Sequence, residues 1–365
     1  MVTLRLITIA CALIASLGNA ACVPSVEPSK HPSDKTPTNE VVSITDQLVA
    51  AAGATEQMRT KAAELRATTS TANGTLRSGV YVYSATVEEY AQKPEQLAAR
   101  LALLGMSDVY LSMSREVMTS ATHDKRDWYE RFIGEAHLYN IKVYAMRLQS
   151  NTIYTNEDVV RTEVEAIKKW NSSVAPICQV DGISADLEPH TMKSSDKNAQ
   201  ALGYWWDSTN NYGKGGSNDR LVGLTLDRLS YADQLLGDLQ LCEALSSAFQ
   251  PKYDQGLLSK GCAEDFLAVC DWVMVMAYRT TADKIWTDVE NYLKATPANR
   301  KGCVSVAVKV HQNELDNVSP SLKPLGWKGV MEAIGSVVQR GKAWPAFRGV
   351  DYFQYVGLED LWEAE

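Results

Sequence analysis

Between residues 180 and 190 the chain reads Val-Asp-Gly-Ile-Ser-Ala-Asp-Leu-Glu-Pro-His, so two carboxylates, Asp186 and Glu188, stand two residues apart ahead of a proline. In an extended strand the period of two places Gly182, Ser184, Asp186 and Glu188 on one face and Ile183, Ala185 and Leu187 on the other. The apolar row then packs against covering helices, the polar row faces inward, and Glu188 comes last, where Pro189 interrupts the ladder. Two carboxylates roughly 7 Å apart along one strand are expensive to enclose without a use. The use that suits them is proton transfer. Asp186 is expected to raise the proton affinity of Glu188, as a general acid working near neutral pH requires.

With those residues in view, the segment resembles glycoside hydrolase family 18, the chitinase-like barrels, whose fourth strand carries a DGxDxDxE pattern matched here by Asp181, Gly182, Asp186 and Glu188. The resemblance implies Glu188 as acid/base and Asp186 as the residue that orients a substrate 2-acetamido group serving as internal nucleophile. Such substrate assistance dispenses with the second enzyme carboxylate that other retaining glycosidases need. Met276-Ala277-Tyr278 is similar to the MxY segment of that family, which implies a hydrogen bond from Tyr278 to the reacting sugar. Core packing is the competing role for Tyr278. The chain departs from the pattern at Ser184, where the family has its middle Asp, and at Arg279, where it has the Asp after the tyrosine. A guanidinium paired with Asp186 or Glu188 would hold that carboxylate ionised, which motivates an alternative: a lectin-like barrel that binds glycan without cutting it. A third possibility is a hydrolase with its own nucleophile, Glu243 or Glu314.

Positioning such a strand needs a scaffold. From Gly79 onward, short apolar or β-branched runs alternate with longer helical patterns, the rhythm of a parallel α/β fold. They predict strands over 79–84, 108–113, 141–148, 180–188, 239–246, 272–278, 303–311 and 350–355, with helices over 94–104, 127–139, 157–170, 219–236, 283–295 and 327–341. Eight strands with intervening helices favour a closed (β/α)8 TIM barrel, assigned to residues 77–365, over an open sheet. No GxGxxG turn follows the first strand to suggest a dinucleotide fold. Ahead of the barrel, Ile44, Leu48, Ala51, Thr55, Met58, Ala62 and Leu65 predict a single N-terminal helix within 43–76, expected to cover surface beside a short last helix.

The working rim of such a barrel is the carboxyl end of its strands. The insertion after strand four, 190–218, therefore lies on that rim and brings His190, Trp205 and Trp206 to it as sugar-binding candidates. Asp181 and Ser184 join them from strand four, Tyr83 from strand one, Tyr144 from strand three, Arg279 from strand six, Lys309 from strand seven and Gln354 from strand eight. Which parity of strand eight points inward is left open by its residues. Trp128 and Trp286 are weaker candidates, and packing of the barrel core competes with binding for every large side chain here.

Nine tryptophans and sixteen tyrosines against five phenylalanines favour rings that carry a polar handle, which suits the apolar faces and hydroxyl edges of sugars. The expected partner is thus an oligosaccharide or polysaccharide. At 365 residues, 45% hydrophobic, with 36 Lys plus Arg against 44 Asp plus Glu, the chain is globular and acidic, a poor match for nucleic acid. Residues 1–22 resemble an export signal ending in a lipobox, with Cys22 as the lipidated position, and 23–42 resemble a flexible tether; export to the cell envelope follows, with membrane contact only through that lipid. Five further cysteines show no CxxC or Cys/His spacing, so neither metal nor cofactor is expected, and buried thiols with at most two bridges are the ordinary outcome.

Overall fold

The computed structural model describes residues 44–71, 74–312 and 320–364. The signal, the tether, Cys22 and Glu314 lie outside the described residues. The chain divides into a unit of residues 1–47, of which 44–47 are described as the opening of a helix, and a unit of residues 48–365 that holds the barrel.

Eight parallel strands close on themselves: β1 (Arg77–Val82), β2 (Asp108–Ser112), β3 (Lys142–Met146), β4 (Gly182–Ala185), β5 (Gln240–Ser246), β6 (Trp272–Met276), β7 (Val304–Lys309) and β8 (Phe347–Phe353). The last pairs with both β7 and β1, so the sheet has no edge. This is the (β/α)8 barrel expected from the alternating pattern. Strands such as Trp272-Val-Met-Val-Met276 read as near-continuous apolar runs because helices cover the outside and side chains fill the inside.

The expected single N-terminal helix is two, α1 (Ile44–Ala52) and α2 (Glu56–Thr69). Gly53 turns left-handed with φ +61°, and the Thr55 hydroxyl accepts from the Met58 N–H at 3.3 Å to cap the second. An apolar period can run through such a break because Leu48, Val49 and Ala52 before it and Met58, Ala62 and Leu65 after it all pack into one core. Around the barrel follow α3 (Pro94–Leu104), α4 (Arg126–Leu138), α5 (Asp158–Ser173), α6 (Ser217–Leu236), α7 (Ala282–Ala295), α8 (Gly326–Gly341) and the short α9 (Tyr355–Glu363). In α5, Val160, Val164, Ile167 and Trp170 are buried at helical spacing, which explains why that segment pays its ordering entropy. Helix α2 packs beside α3, α8 and α9, and the Trp362 indole donates to the Met58 carbonyl at 2.6 Å. No described helix is long and apolar enough to cross a membrane.

Two details set the barrel floor. Arg77 of β1 donates from Nε to Asp108 of β2 at 2.6 Å, and Arg348 of β8 approaches the same carboxylate at 3.4 Å, so the strands that close the ring share one buried anion. At Gly182 of β4, a Cβ would stand 1.9 Å from the Gln240 carbonyl oxygen of β5. The glycine after Asp181 is thus required by strand packing. Gly182→Ala is expected to destabilise the fold by about 3 kcal/mol or more, because backbone cannot yield as a side chain can. Urea unfolding checks this; a midpoint equal to wild type would show that the strands separate without cost.

Candidate active site

Strand β4 leaves the ladder after Ala185 and carries Asp186, Leu187 and Glu188 onto the carboxyl rim, three residues earlier than the strand predicted over 180–188. The Leu187 N–H donates to Glu243 Oε1 at 2.9 Å, and Pro189 then opens a short turn over Pro189–Thr191. The two carboxylates end in different surroundings. Asp186 Oδ1 is buried without a hydrogen-bond partner. The Glu188 side chain is 36% exposed and lines a cleft of about 550 Å³ with His190, Ser246, Met276, Tyr278 and Arg279.

Burial raises the proton affinity of Asp186, and the charge of Glu188 raises it further, to about 7. Burial alone raises Glu188. The expected influence of Asp186 upon Glu188 therefore runs mainly the other way: the deeper group takes the larger shift, because desolvation is the dominant cause and Asp186 is the more enclosed. His190 Nε2 lies 3.5 Å from Glu188 Oε1, but burial holds the imidazole down to about 4. At neutral pH the contact is that of a neutral ring, not an ion pair. No cation then competes for the Glu188 proton from that side.

Arg279 does not pair with Asp186 or Glu188. Its Nε lies 2.9 Å from Asp288 Oδ2 of α7, and its Nη1 donates to the Tyr278 carbonyl at 3.1 Å. Tyr278 is half-buried, with its ring 5.4 Å from that of Phe353, which lies 5.7 Å from both Tyr81 and Tyr83. These rings form an aromatic wall beside the carboxylates. Burial raises the Tyr83 hydroxyl, and the charges of Asp186 and Glu188 raise it further, which places Tyr83 in the electrostatic reach of both.

Five candidates, Asp181, Tyr144, Lys309, Gln354 and Ser184, are absent from the cleft lining. Asp181 precedes β4 at the opposite end of the barrel: its Oδ2 accepts from the Val143 N–H at 2.8 Å and lies 3.0 Å from His137 Nε2. Burial pushes its carboxyl up, but the His137 and Val143 bonds outweigh that and hold it below the ordinary range. Tyr144 is also on the floor, donating to Gln240 Oε1 at 2.9 Å, and Lys309 at the end of β7 is only 1% exposed. Tyr144 is thereby held away from the cleft, whereas Lys309 pairs in register with Phe353 on the carboxyl side of the barrel. Gln354, joined to Phe353 by a cis peptide bond, caps the start of α9 and is absent from the cleft lining. Ser184 is buried on the inward row beside Cys242, whose thiol its hydroxyl helps to bond.

In the insertion, Trp206 is half-buried, its ring 5.9 Å from Phe249 and 6.4 Å from His190, whereas Trp205 is 40% exposed. Trp128 and Trp286 are buried, the former donating its indole N–H to the Tyr90 carbonyl at 2.8 Å. Glu243 is wholly buried, which removes it as a nucleophile open to substrate. Burial raises its proton affinity, and Asp186 raises it further, while its Oε1 accepts the Leu187 N–H.

The residues of strand eight leave Phe353 undecided with its parity, and sequence reasoning passes over Phe249, Tyr212 and Asp351. Asp351 sits in the barrel interior, accepting from Ser305 and, at 2.8 Å, from the Tyr110 hydroxyl; burial pushes it up to about 6. Gly79 makes room for it, since a Cβ there would stand 2.1 Å from Asp351 Oδ1. Only the pairing register reveals that Asp351 and Phe353 share the inward row of β8. Among the described residues the five cysteines, 178, 242, 262, 270 and 303, are free thiols, and no group of three or more His, Cys, Asp or Glu could hold a metal ion.

Comparison with protein-family models and with curated proteins gives no match. Among solved structures, the chain is similar to a GH18 chitinase from Pseudoalteromonas aurantia at 17% identity, covering 76% of this chain and 93% of that one with a TM-score of 0.46. It is similar to the glycoside hydrolase domain of PgaB (BpsB) from Bordetella bronchiseptica at 12% identity, covering 78% and 96% with a TM-score of 0.49. A xylanase and alpha-amylase inhibitor protein from Scadoxus multiflorus stands alongside them, at 13% identity, 79% and 97% coverage and a TM-score of 0.45.

Proposed function

We propose that the chain is an exported glycoside hydrolase that cleaves β-linked glycan containing N-acetylhexosamine, with retention of configuration and with Glu188 as acid/base. One observation carries this reading. An enclosed carboxyl near pH 7, Asp186, stands two residues from a second raised carboxyl, Glu188, that opens into a cleft large enough for sugar rings. Glu188 donates its proton to the glycosidic oxygen as the bond from C1 breaks. The carbonyl oxygen of the substrate's own 2-acetamido group bonds to C1, giving an oxazolinium ion whose positive charge Asp186 offsets. Glu188, now ionised, takes a proton from water, whose oxygen attacks C1 from the face the leaving group left; the C1 bond to the acetamido oxygen opens and configuration is retained. Tyr278 steadies the acetamido group from the aromatic wall.

The test is turnover of paired β-glycans that differ only in a 2-acetamido or a 2-hydroxyl group. Cleavage confined to the acetamido member, with a β-configured product by NMR, supports the assignment. Equal cleavage of both members would mean an enzyme nucleophile and sink the substrate-assisted step.

A binding-only barrel is the second reading. Ser184, a hydroxyl rather than a carboxylate ahead of Asp186 on the inward row, is the observation that favours it, whereas Arg279 no longer does because it is engaged with Asp288. Calorimetric binding of glycan by wild type without product on long incubation identifies that case.

A further inference from the structure

A second cleft, of about 530 Å³, continues from the first through their shared residues His190, Ser246 and Ala248, and its outer wall is Lys193, Trp206, Ser208, Tyr212 and Lys252. The Trp206 and Tyr212 rings stand 5.9 Å apart at 88°, forming a corner, with Trp206 backed by Phe249. Such a corner offers one face for stacking a sugar and one edge for its rim. Lys252 holds its ammonium 4.8 Å from the Tyr212 ring centroid, and Lys193 is an exposed residue of the same cleft wall. No carboxylate among the described residues forms an ion pair with either lysine, although the chain carries eight more acidic than basic side chains. Neutral glycan needs rings and hydroxyls but no cations. Two ammonium groups without an ion-pair partner, in one cleft with an aromatic corner, suit a stacked sugar that bears a carboxylate.

Building on the hydrolase reading, we infer that this second cleft is a subsite for an acidic sugar unit, one carrying a carboxylate substituent, and that Lys193 and Lys252 select it. The scissile bond lies beside Glu188, so the acidic unit sits one or more residues along the chain from it. Placing the negative charge in the second cleft also keeps it away from Asp186 and Glu188, which a carboxylate in the first cleft would repel. Trp206 supplies stacking for any sugar, and the lysines supply the discrimination.

The experiment measures binding to the full chain carrying Glu188→Gln, so that ligand survives the titration. Calorimetry compares two probes of equal length: a β-1,4 tetramer of N-acetylglucosamine, and a tetramer in which alternate units carry a 3-O-lactyl carboxylate. The acidic tetramer is expected to bind roughly five- to tenfold tighter at low salt, a ratio that shrinks as ionic strength rises. In Lys193→Gln/Lys252→Gln, with folding checked by its thermal melt, the ratio is expected to fall to about one. Equal affinity for the two tetramers, no binding of the acidic one, or a ratio that survives removal of both lysines would overturn the inference. Cleavage by wild type is read separately. A charge preference without turnover leaves the subsite standing and the hydrolase assignment fallen, and turnover without charge preference does the reverse.

Discussion

Glu188→Gln is expected to lower kcat by about a thousandfold on oligosaccharide, within the range that removal of a positioned general acid gives, with a much smaller change in KM. The amide keeps the shape of the side chain and its place at the mouth of the cleft while removing the proton that the leaving oxygen needs. A sharper form of the result uses two substrates. An aryl glycoside with an acidic phenol departs with little help, so glycosyl transfer to the acetamido oxygen is expected to suffer less than it does with a sugar leaving group. Rapid-quench measurement of the first turnover checks the contrast. Full rate retained by Glu188→Gln on a natural glycan would remove Glu188 from the chemistry.

Asp186→Asn is expected to slow catalysis and stabilise the fold together. The Asp186 carboxyl rises from an ordinary 3.8 to about 7 on folding, chiefly through burial. A group raised in the folded state is neutral in both states below about pH 4, so it withholds nothing there; stability is lost as pH climbs through about 7, up to roughly 4 kcal/mol in all. The asparagine variant escapes that loss. Denaturant unfolding is thus expected to show variant and wild type close to equal at pH 4 and the variant more stable by a few kcal/mol at pH 8. Equal stability at both pH values would mean that water reaches Asp186 and that the carboxyl is not enclosed. The rate carries the same signature. With Asp186 and Glu188 titrating as a coupled pair, kcat/KM of wild type is expected to fall as pH passes about 7, where Asp186 loses its proton, and in Asp186→Asn that limb moves to lower pH, because Glu188, raised by burial alone, then titrates by itself.

The barrel was readable in the sequence because its strands are short apolar runs bounded by helices of clear period, as α5 shows, and each run recurs at the spacing a βα unit imposes. The carboxylate pair was readable because a period of two and Pro189 together mark both the inward row and its end. What could not be read depends on partners distant along the chain. Asp181 matches a motif letter, yet His137 and Val143 hold it on the floor. Arg279, ahead of α7, is claimed by Asp288 inside that helix rather than by Asp186 or Glu188. The inward place of Asp351 and Phe353 depends on the register of β8 between β7 and β1, with a shift between Phe347 and Gly349 that no local pattern announces. The break at Gly53 shows the same limit at short range, since an apolar stripe records which face is buried and not whether one helix or two present it.

Closing the ring through Arg77, Asp108 and Arg348 has a consequence for how the molecule comes into being. The first strand waits for the eighth, so through most of synthesis the nascent polypeptide carries two raw strand borders and an anion that is only half neutralised. There is no smaller finished object along the way, as there is in a chain of stacked repeats. Assembly is therefore late and nearly all-or-none, and until residues 347–353 arrive the unlatched chain depends on whatever keeps those borders from joining a neighbour's.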